Sequence, residues 1–436
     1  HTLADQGDLA GAMDDYDRAI ALFPEGSQKA AAYSSRGDAR AALGELAAGL
    51  ADYAKAIALY PADDQVQGLE AEAKAGTYLR RANTYYDLGD LEPALADYDR
   101  VVALNGQESK VFNNRGLARA DHGDLDGAIK DYSQSIALNP QDAWAYYNRG
   151  LARAERGDLE DAIVDYSQAI ALFPDGRDKA TAYNNRGNAR TSQGDLEAAI
   201  ADYDRAIALN PRDATAYYNR GNARKAENDL AAAVADYDQA IALNPDDATA
   251  FNNRGNALYN LGNAEAAILD YDQAIAMFPE DAATTVNRAT AFNNRGLARS
   301  CLGELGAAIA DYSEAIRILP AGDEKAAAYN NRGQAYASLG DMAAAVADYD
   351  QALDHNPQYA TAYGNRGNVL YAQGKLEEAI EDNDQAIAFN PDHATAYYNR
   401  AVAHRVNGER ATAIADLKQV LALSRDLSLR EKAQVQ

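Results

Sequence analysis

Small, aromatic and polar residues recur along the chain with a fixed spacing. One copy of the pattern, residues 214–247, reads ATAYYNRGNARKAENDLAAAVADYDQAIALNPDD. Two stretches of helix-forming residues meet near Asn228-Asp229, where other copies have Gly-Asp. Glycine favours a tight turn, and aspartate caps the helix that follows. The second stretch ends at Asn-Pro, because proline cannot continue a helix. Each copy therefore predicts two helices joined by a tight turn.

One arginine, which we call the repeat arginine, marks every copy within its first predicted helix. Six of the ten spacings between successive copies are 34 residues, and residues 1–24 form part of a twelfth copy. In all eleven copies an aromatic residue stands three positions before the arginine and Gly or Ala directly follows it. The small residues indicate close crossing of the two helices. The repeat arginines are Arg36, Arg81, Arg115, Arg149, Arg186, Arg220, Arg254, Arg295, Arg332, Arg366 and Arg400.

These motifs resemble the tetratricopeptide repeat family over essentially the whole chain. The resemblance implies an all-α fold, a right-handed superhelical α-solenoid of stacked antiparallel helix pairs. It also implies a concave groove lined by the first helices. Because the family is defined by its fold, the resemblance alone implies no function. The chain departs from the family at one position, where the repeat arginine stands in place of the usual leucine.

An aspartate, which we call the repeat aspartate, stands sixteen residues after every repeat arginine. A charge between packed helices requires a partner, so we expect an ion pair within each repeat. The alternative is an arginine presented to an anionic ligand. Six copies have a second arginine four residues after the first, to which the sequence assigns no partner. The structural ion pairs expected include Arg115–Asp131, Arg149–Asp165, Arg220–Asp236 and Arg254–Asp270.

Asparagine precedes the repeat arginine in nine copies, and we call these residues the row asparagines. Residues at this position share one helix face and would form a ladder along the groove. Because an amide both donates and accepts, the ladder could bind the main chain of an extended peptide. The alternative is that these amides bond only to neighbouring helices or water. Trp144 faces the same side, as a packing residue or a binding hot spot. The row asparagines are Asn114, Asn148, Asn185, Asn219, Asn253, Asn294, Asn331, Asn365 and Asn399.

Five connections between copies are longer than the standard one, by 3, 11, 3, 7 and 3 residues in chain order. These lengths are close to whole helical turns, so we expect first helices that are lengthened at their N-termini. The longer helices either mark docking places for a partner or only adjust the local curvature. We expect a partial repeat and connection over 1–29, eleven repeats over 30–427, and a capping segment over 428–436. The lengthened helices are expected near 25–30, 62–80, 175–180, 280–289 and 321–326.

Composition narrows the classes of function. The 436 residues include 66 acidic and 41 basic ones, for a net charge of −25. This charge opposes nucleic-acid binding and favours a protein or extended-peptide partner with basic segments. No apolar run is long enough to predict membrane insertion. The single Cys301 and five scattered histidines offer no metal site, and we expect no cofactor.

Three functional hypotheses remain, and no catalytic motif is present to favour an enzyme. The first is a protein-interaction scaffold that binds an extended segment in its groove. The second is a structural subunit that docks through its edges or convex surface. The third is the repeat region of a larger enzyme, because the sequence starts with His1 inside a copy and we expect the chain to continue upstream. The compartment (cytoplasm or periplasm) and the oligomeric state stay open.

Overall fold

The computed structural model describes residues 9–105, 108–279, 285–424 and 426–435. These residues form 24 α-helices and no strand. In the repeats, the even-numbered helices from α2 to α22 are the first helices and the odd-numbered ones are the second helices. The helices are Leu9–Leu22 (α1), Ser27–Ala42 (α2), Leu46–Leu59 (α3), Leu69–Asp87 (α4), Leu91–Leu104 (α5), Ser109–Asp121 (α6), Leu125–Leu138 (α7), Ala143–Arg156 (α8), Leu159–Leu172 (α9), Arg177–Gln193 (α10), Leu196–Leu209 (α11), Ala214–Ala226 (α12), Leu230–Leu243 (α13), Ala248–Asn260 (α14), Ala264–Met277 (α15), Thr285–Cys301 (α16), Leu305–Ile318 (α17), Asp323–Leu339 (α18), Met342–His355 (α19), Ala360–Ala372 (α20), Leu376–Phe389 (α21), Ala394–Val406 (α22), Arg410–Leu423 (α23) and Leu427–Val435 (α24).

The chain divides into two compact units, His1–Arg212 and Asp213–Gln436. Within each unit every helix packs against the next one along the chain, and successive first helices also contact each other. Each unit is therefore a stack of antiparallel helix pairs. The predicted fold class, an all-α solenoid, is confirmed.

A glycine and a tyrosine set the distance between the two helices of a repeat. In the pair formed by α14 and α15, Gly255 lies against the ring of Tyr271, which is 1% exposed. A Cβ atom on Gly255 would lie 2.8 Å from that ring. Ala264, Ala267 and Tyr271 form one buried cluster at this crossing. The small residue after the repeat arginine is thus required by the close approach of the tyrosine.

The turn inside each repeat depends on a left-handed residue. Gly157, after α8, has a φ of 93°, which a glycine adopts without steric cost. In the copy at 214–247 Asn228 takes this position with a φ of 65°. An aspartate then caps the second helix in several copies, as Asp229 does by accepting a hydrogen bond from the Ala232 N–H. These local contacts end one helix and start the next within three residues.

The lengthened first helices differ in how the added residues are used. The helices α2, α10 and α18 each begin nine residues before their repeat arginine, whereas α12 begins six residues before Arg220. A three-residue insertion therefore adds about one helical turn. Of the region expected at 280–289, residues 280–284 lie outside the described residues and α16 begins at Thr285.

The longest insertion is not helical throughout, contrary to the expectation for 62–80. Residues 62–68 form turns, and the helix begins only at Leu69. The physical reason is a contact that folds this segment back onto α4. Lys74 is 3% exposed, forms an ion pair with Asp63 at 2.5 Å and donates to the Pro61 carbonyl at 2.5 Å. Val66 is also buried.

The end of the chain packs as a single helix on the last repeat. Helix α24 contacts α23, and the Arg430 guanidinium donates to the Leu421 and Ser424 carbonyls at 2.8 and 3.1 Å. Of the expected partial repeat and capping segment, residues 1–8 and Gln436 lie outside the described residues.

Candidate functional site

The repeat arginine forms a forked ion pair with the repeat aspartate in all eleven copies. Nε and Nη2 donate to the two carboxylate oxygens at 2.5–3.1 Å. The aspartates are at most 6% exposed. The structure thus brings together Arg115 with Asp131, Arg149 with Asp165, Arg220 with Asp236, and Arg254 with Asp270. Two parallel charge-assisted bonds meet the requirement of a buried carboxylate.

The same guanidinium makes two further contacts. It lies over the ring of the aromatic residue three positions earlier, with 5.3–5.7 Å from Cζ to the ring centroid in all eleven copies. In at least nine copies its Nη1 also donates to the preceding repeat, as Arg254 does to Asp238 at 2.6 Å. Arg149 donates instead to the Ser133 hydroxyl at 3.0 Å. The arginine therefore joins its own second helix to the previous repeat.

The second arginine, left without a partner in the sequence analysis, binds the same repeat aspartate. Arg224 donates through Nη1 to Asp236 at 2.8 Å, and all six such arginines do so at 2.7–2.8 Å. The constant offset of twelve residues was visible in the sequence but was missed. One aspartate thus serves two arginines in these six copies.

These contacts assign the repeat arginines to packing within the array. The hydrogen bonds that Arg254 donates to Asp270 raise the pKa of Arg254, with a smaller contribution from Asp238. The side chains of these arginines are mostly enclosed, at 11–22% exposed. The alternative of an arginine row facing an anionic ligand therefore has no support in the geometry.

Most row asparagines use their amide NH₂ group to bond the preceding first helix. Asn185 donates to the Tyr147 hydroxyl at 2.9 Å, and Asn365 donates to the side-chain carbonyl of Asn330 at 2.9 Å. Asn399 makes no hydrogen bond to the described residues, because Gly364 replaces the acceptor of the preceding copy. Asn219 lies half-buried in α12. The row asparagine is also the donor in the other side-chain hydrogen bonds of this kind. These bonds are Asn114 to Asn83 (3.3 Å), Asn148 to Asn113 (3.1 Å), Asn253 to Tyr218 (2.8 Å), Asn294 to Asn256 (2.9 Å) and Asn331 to Asn293 (3.1 Å).

The row asparagines also line clefts between successive first helices. Asn185, Asn294 and Asn365 each border such a cleft, with volumes of 430, 430 and 300 Å³. The three clefts are built from equivalent positions of their repeats. The side-chain carbonyl oxygens of these three asparagines make no hydrogen bond to the described residues, and Asn185 and Asn365 also have one amide N–H without such a bond. These amides can therefore serve a ligand in the cleft.

Trp144 combines packing with exposure. Its indole ring contacts Tyr147 and Phe173 edge-on, with centroids 5.5 and 5.1 Å apart. The residue is nevertheless 47% exposed. An exposed aromatic side chain held by neighbouring rings provides a rigid contact surface.

The face of the first helices that borders these clefts has little charge in the second unit. The clefts there are lined by amide, hydroxyl, aromatic and aliphatic side chains, and Lys225 is their one charged residue. Burial lowers the pKa of Lys225. Many of the acidic residues lie instead on the second helices, as Asp238 and Asp272 do. The negative charge of the chain therefore gives little information about what these clefts bind.

Comparison with protein-family models decides the family. The model described as TPR repeat matches residues 116–155, 187–226, 221–262, 333–374 and 367–408. Three models described as tetratricopeptide repeat match 143–175 and 248–281, 75–108, and 1–64. Together these ranges cover more than half of the sequence. The chain belongs to the tetratricopeptide repeat family.

Several solved structures are similar to this chain. MamA is 27% identical over 37% of this chain and 93% of its own, with a TM-score of 0.35. Cut9 in the APC/C hetero-tetramer Cut9–Hcn1 is 15% identical over 99% and 88%, with a TM-score of 0.46. Yeast Tom70 is 16% identical over 93% and 94%, with a TM-score of 0.42. No curated protein matches the chain.

The described residues contain neither a candidate metal-binding cluster nor a candidate membrane span. Within the described ranges, no group of three or more His, Cys, Asp or Glu is placed to hold a metal ion. No helix in this part of the chain is both long and apolar enough to cross a bilayer.

Proposed function

We propose that this tetratricopeptide repeat protein is a non-catalytic scaffold that holds an extended segment of a partner protein against its first helices. The observation that supports this proposal most strongly is the recurrence of equivalent clefts, each bordered by a row asparagine with unused hydrogen-bonding capacity. An amide presents both a donor and an acceptor, which suits a peptide main chain of any sequence.

The spacing of the clefts supports an extended ligand rather than a compact one. Successive first helices present the same positions again after about 34 residues of sequence, so a bound segment meets the same set of side chains at each repeat. A repeat array offers a long surface of this kind instead of one deep pocket.

Site-specific photo-crosslinking in the native organism tests the proposal. The benzophenone amino acid p-benzoylphenylalanine replaces Asn260 or Ser338, which are exposed and border clefts. Matched control positions are Glu265 and Gln273, which are exposed on α15. We expect one partner protein to be captured from both cleft positions and from neither control. Equal capture from the controls, or capture from the controls alone, contradicts groove binding.

A second candidate function is docking through a lengthened first helix. Leu69, at the start of α4, is 82% exposed, and an exposed apolar side chain of this size suits a protein contact. The same crosslinking amino acid at Leu69 tests this candidate. Capture at Leu69 without capture at Asn260 or Ser338 would favour a structural subunit that docks through its edge.

A further inference from the structure

The cleft between α8 and α10 has an apolar floor that carries one hydroxyl group, that of Tyr166. Its floor is formed by Tyr166 and Ala189, which belong to one buried cluster with Ala162. Leu151, Glu155 and Leu159 line one side, and Asn185, Asn188 and Ser192 line the other. The volume of about 430 Å³ is sufficient for one long side chain and part of its main chain.

The Tyr166 hydroxyl has no partner among the described residues. In four other copies the equivalent tyrosine donates to an asparagine two residues after the repeat arginine, as Tyr237 does to Asn222 and Tyr271 to Asn256, both at 2.8 Å. In this copy that position is Leu151, which cannot accept. Tyr166 is 1% exposed, yet it lines the cleft. Because Tyr166 lines the cleft, its hydroxyl can donate to an acceptor that a bound ligand brings there.

One face of α8 extends this cleft, and its side chains change from apolar to charged along the helix. Trp144, Tyr147, Leu151 and Glu155 recur every three or four residues, so they share that face. Trp144 is 47% and Leu151 40% exposed. The face therefore runs from exposed apolar groups at the start of α8 to a carboxylate at its end.

The carboxylate of Glu155 is available for a ligand. The residue is exposed and makes no ion pair with the described residues. Its neighbour Arg156 is already paired with Asp126 and Asp158. An unneutralised carboxylate beside a low-dielectric wall attracts a cation more strongly than one in open water.

A matching cleft in the second unit lacks this charge. Between α18 and α20, Tyr349 forms the floor, is 2% exposed and also lacks a hydroxyl partner among the described residues. Ser338 occupies the position of Glu155, and Met342 that of Leu159. The second cleft thus lacks the carboxylate at the mouth, and it has Gln334 where the first cleft has Leu151.

We propose that the cleft between α8 and α10 takes a lysine or arginine side chain of the extended partner segment. Its aliphatic stem lies against Leu151 and Leu159, and its charged end binds the Glu155 carboxylate. The Tyr166 hydroxyl donates to a main-chain carbonyl of the same segment, which supplies the acceptor that Leu151 does not. An apolar residue of the same segment rests on Trp144. This inference rests on the proposed groove function and adds a basic, apolar-flanked sequence preference in the first unit.

Short blocked peptides test the preference directly. The probes are Ac-Ser-Leu-Gly-X-Gly-Ser-NH₂ with X as lysine, norleucine or glutamate, titrated into the full chain by calorimetry at low salt. Emission of Trp144, the only tryptophan in the chain, reports whether binding occurs at this face. We expect the lysine peptide to bind about tenfold more tightly than the norleucine peptide, which corresponds to about 1.4 kcal/mol. The glutamate peptide should bind most weakly.

Two variants and a control separate the contributions of Glu155 and Tyr166 to peptide binding. Glu155→Gln should abolish the preference for lysine over norleucine. Tyr166→Phe should weaken the lysine and norleucine peptides alike, about threefold each, because both present the same main-chain carbonyls. The control Glu160→Gln, on the exposed surface of α9, should change neither. A preference for lysine that survives Glu155→Gln, equal binding of lysine and norleucine, or no change in Trp144 emission with any probe overturns the inference. Failure here leaves capture at Asn260 and Ser338 in the second unit intact, so the groove proposal is tested separately.

Discussion

At the scale of single residues, each repeat aspartate is a buried charge that receives two or three charge-assisted hydrogen bonds. Asp236 receives bonds from Arg220 and Arg224, and its side chain is only 3% exposed. Breaking a buried pair costs more than an exposed pair contributes, because the remaining charge is left without compensation. The repeat arginine and its aspartate are therefore best regarded as one unit.

Asn383 departs from the residue found at its position in most other copies, and we expect a substitution there to stabilise the protein. It replaces the tyrosine found at this position in nine other copies, is 1% exposed, and leaves its Oδ1 without a partner. Asn383→Tyr should stabilise the α20–α21 pair by about 1–3 kcal/mol, because it removes a buried unsatisfied acceptor and fills the space with a ring. Asn368 is available to accept from the new hydroxyl.

Asn383→Phe is the matched control for that prediction. It supplies the ring without the hydroxyl, so it should gain less than Asn383→Tyr by about 1 kcal/mol. Hydrogen exchange of the α20 and α21 amides in the full chain measures both variants. A loss of protection in Asn383→Tyr would show that the asparagine is better accommodated than the contacts indicate.

His393 makes the start of α22 sensitive to pH. Its Nδ1 accepts a hydrogen bond from the Ala396 N–H at 3.2 Å, so the ring must be neutral at that nitrogen. Burial lowers the pKa of His393, and the folded state therefore binds fewer protons than the unfolded state. The contribution of His393 to stability is fully present above its pKa in the unfolded state, about 6.5. This contribution decreases as the pH falls through that value toward the lowered pKa of the folded state.

The variant His393→Asp isolates this effect. Aspartate caps equivalent helices in the chain, as Asp213 and Asp247 do, and it stays ionised at pH 5. The melting temperature of His393→Asp relative to the natural chain should be higher at pH 5.0 than at pH 7.5. An equal difference at the two pH values would mean that His393 does not titrate between them.

At the scale of helices, the close crossing in the α14–α15 pair depends on the glycine after the repeat arginine. Gly255→Ala should destabilise the α14–α15 pair by about 1–3 kcal/mol, because the new Cβ would lie 2.8 Å from the Tyr271 ring. The control is Gly306→Ala in α17, where a Cβ meets nothing within 4 Å. It should instead stabilise by about 0.5–1 kcal/mol through helix propensity.

Urea unfolding followed by circular dichroism compares the two glycine variants. Opposite shifts of the unfolding midpoint are expected, downward for Gly255→Ala and upward for Gly306→Ala. A downward shift of the same size in both would show that the loss at Gly255 does not come from the contact with Tyr271.

The helix pairs could be predicted from the sequence because their signals are local. Gly-Asp turns, Asn-Pro ends and the spacing of small residues depend on neighbouring positions, and the sixteen-residue offset of the repeat aspartate is constant. The segment 62–68 could not be predicted, because the Asp63–Lys74 contact competes with helix formation there. The bonds from the row asparagines also depend on which acceptor the previous repeat presents, which intrinsic propensity does not encode.

At the scale of the whole molecule, stability is expected to be distributed along the array. Each repeat contacts mainly its neighbours within its unit, so the loss of one contact should spread only a short distance. The bonds from repeat arginines to the preceding repeat, such as Arg254 to Asp238, carry this nearest-neighbour coupling. The clefts use the same helices, so the partner segment should bind a surface whose spacing the arginines maintain.

The most direct test of this account is hydrogen exchange of the full chain with Asp270→Ala, compared with Asp238→Ala. Asp270 is buried against Arg254, whereas Asp238 is 51% exposed. The account predicts a loss of about 3 kcal/mol of protection in α14 and α15, fading over the adjacent helices, and a loss below about 1 kcal/mol for Asp238→Ala. Unchanged protection with Asp270→Ala, or an equal loss across residues 9–435, would contradict it.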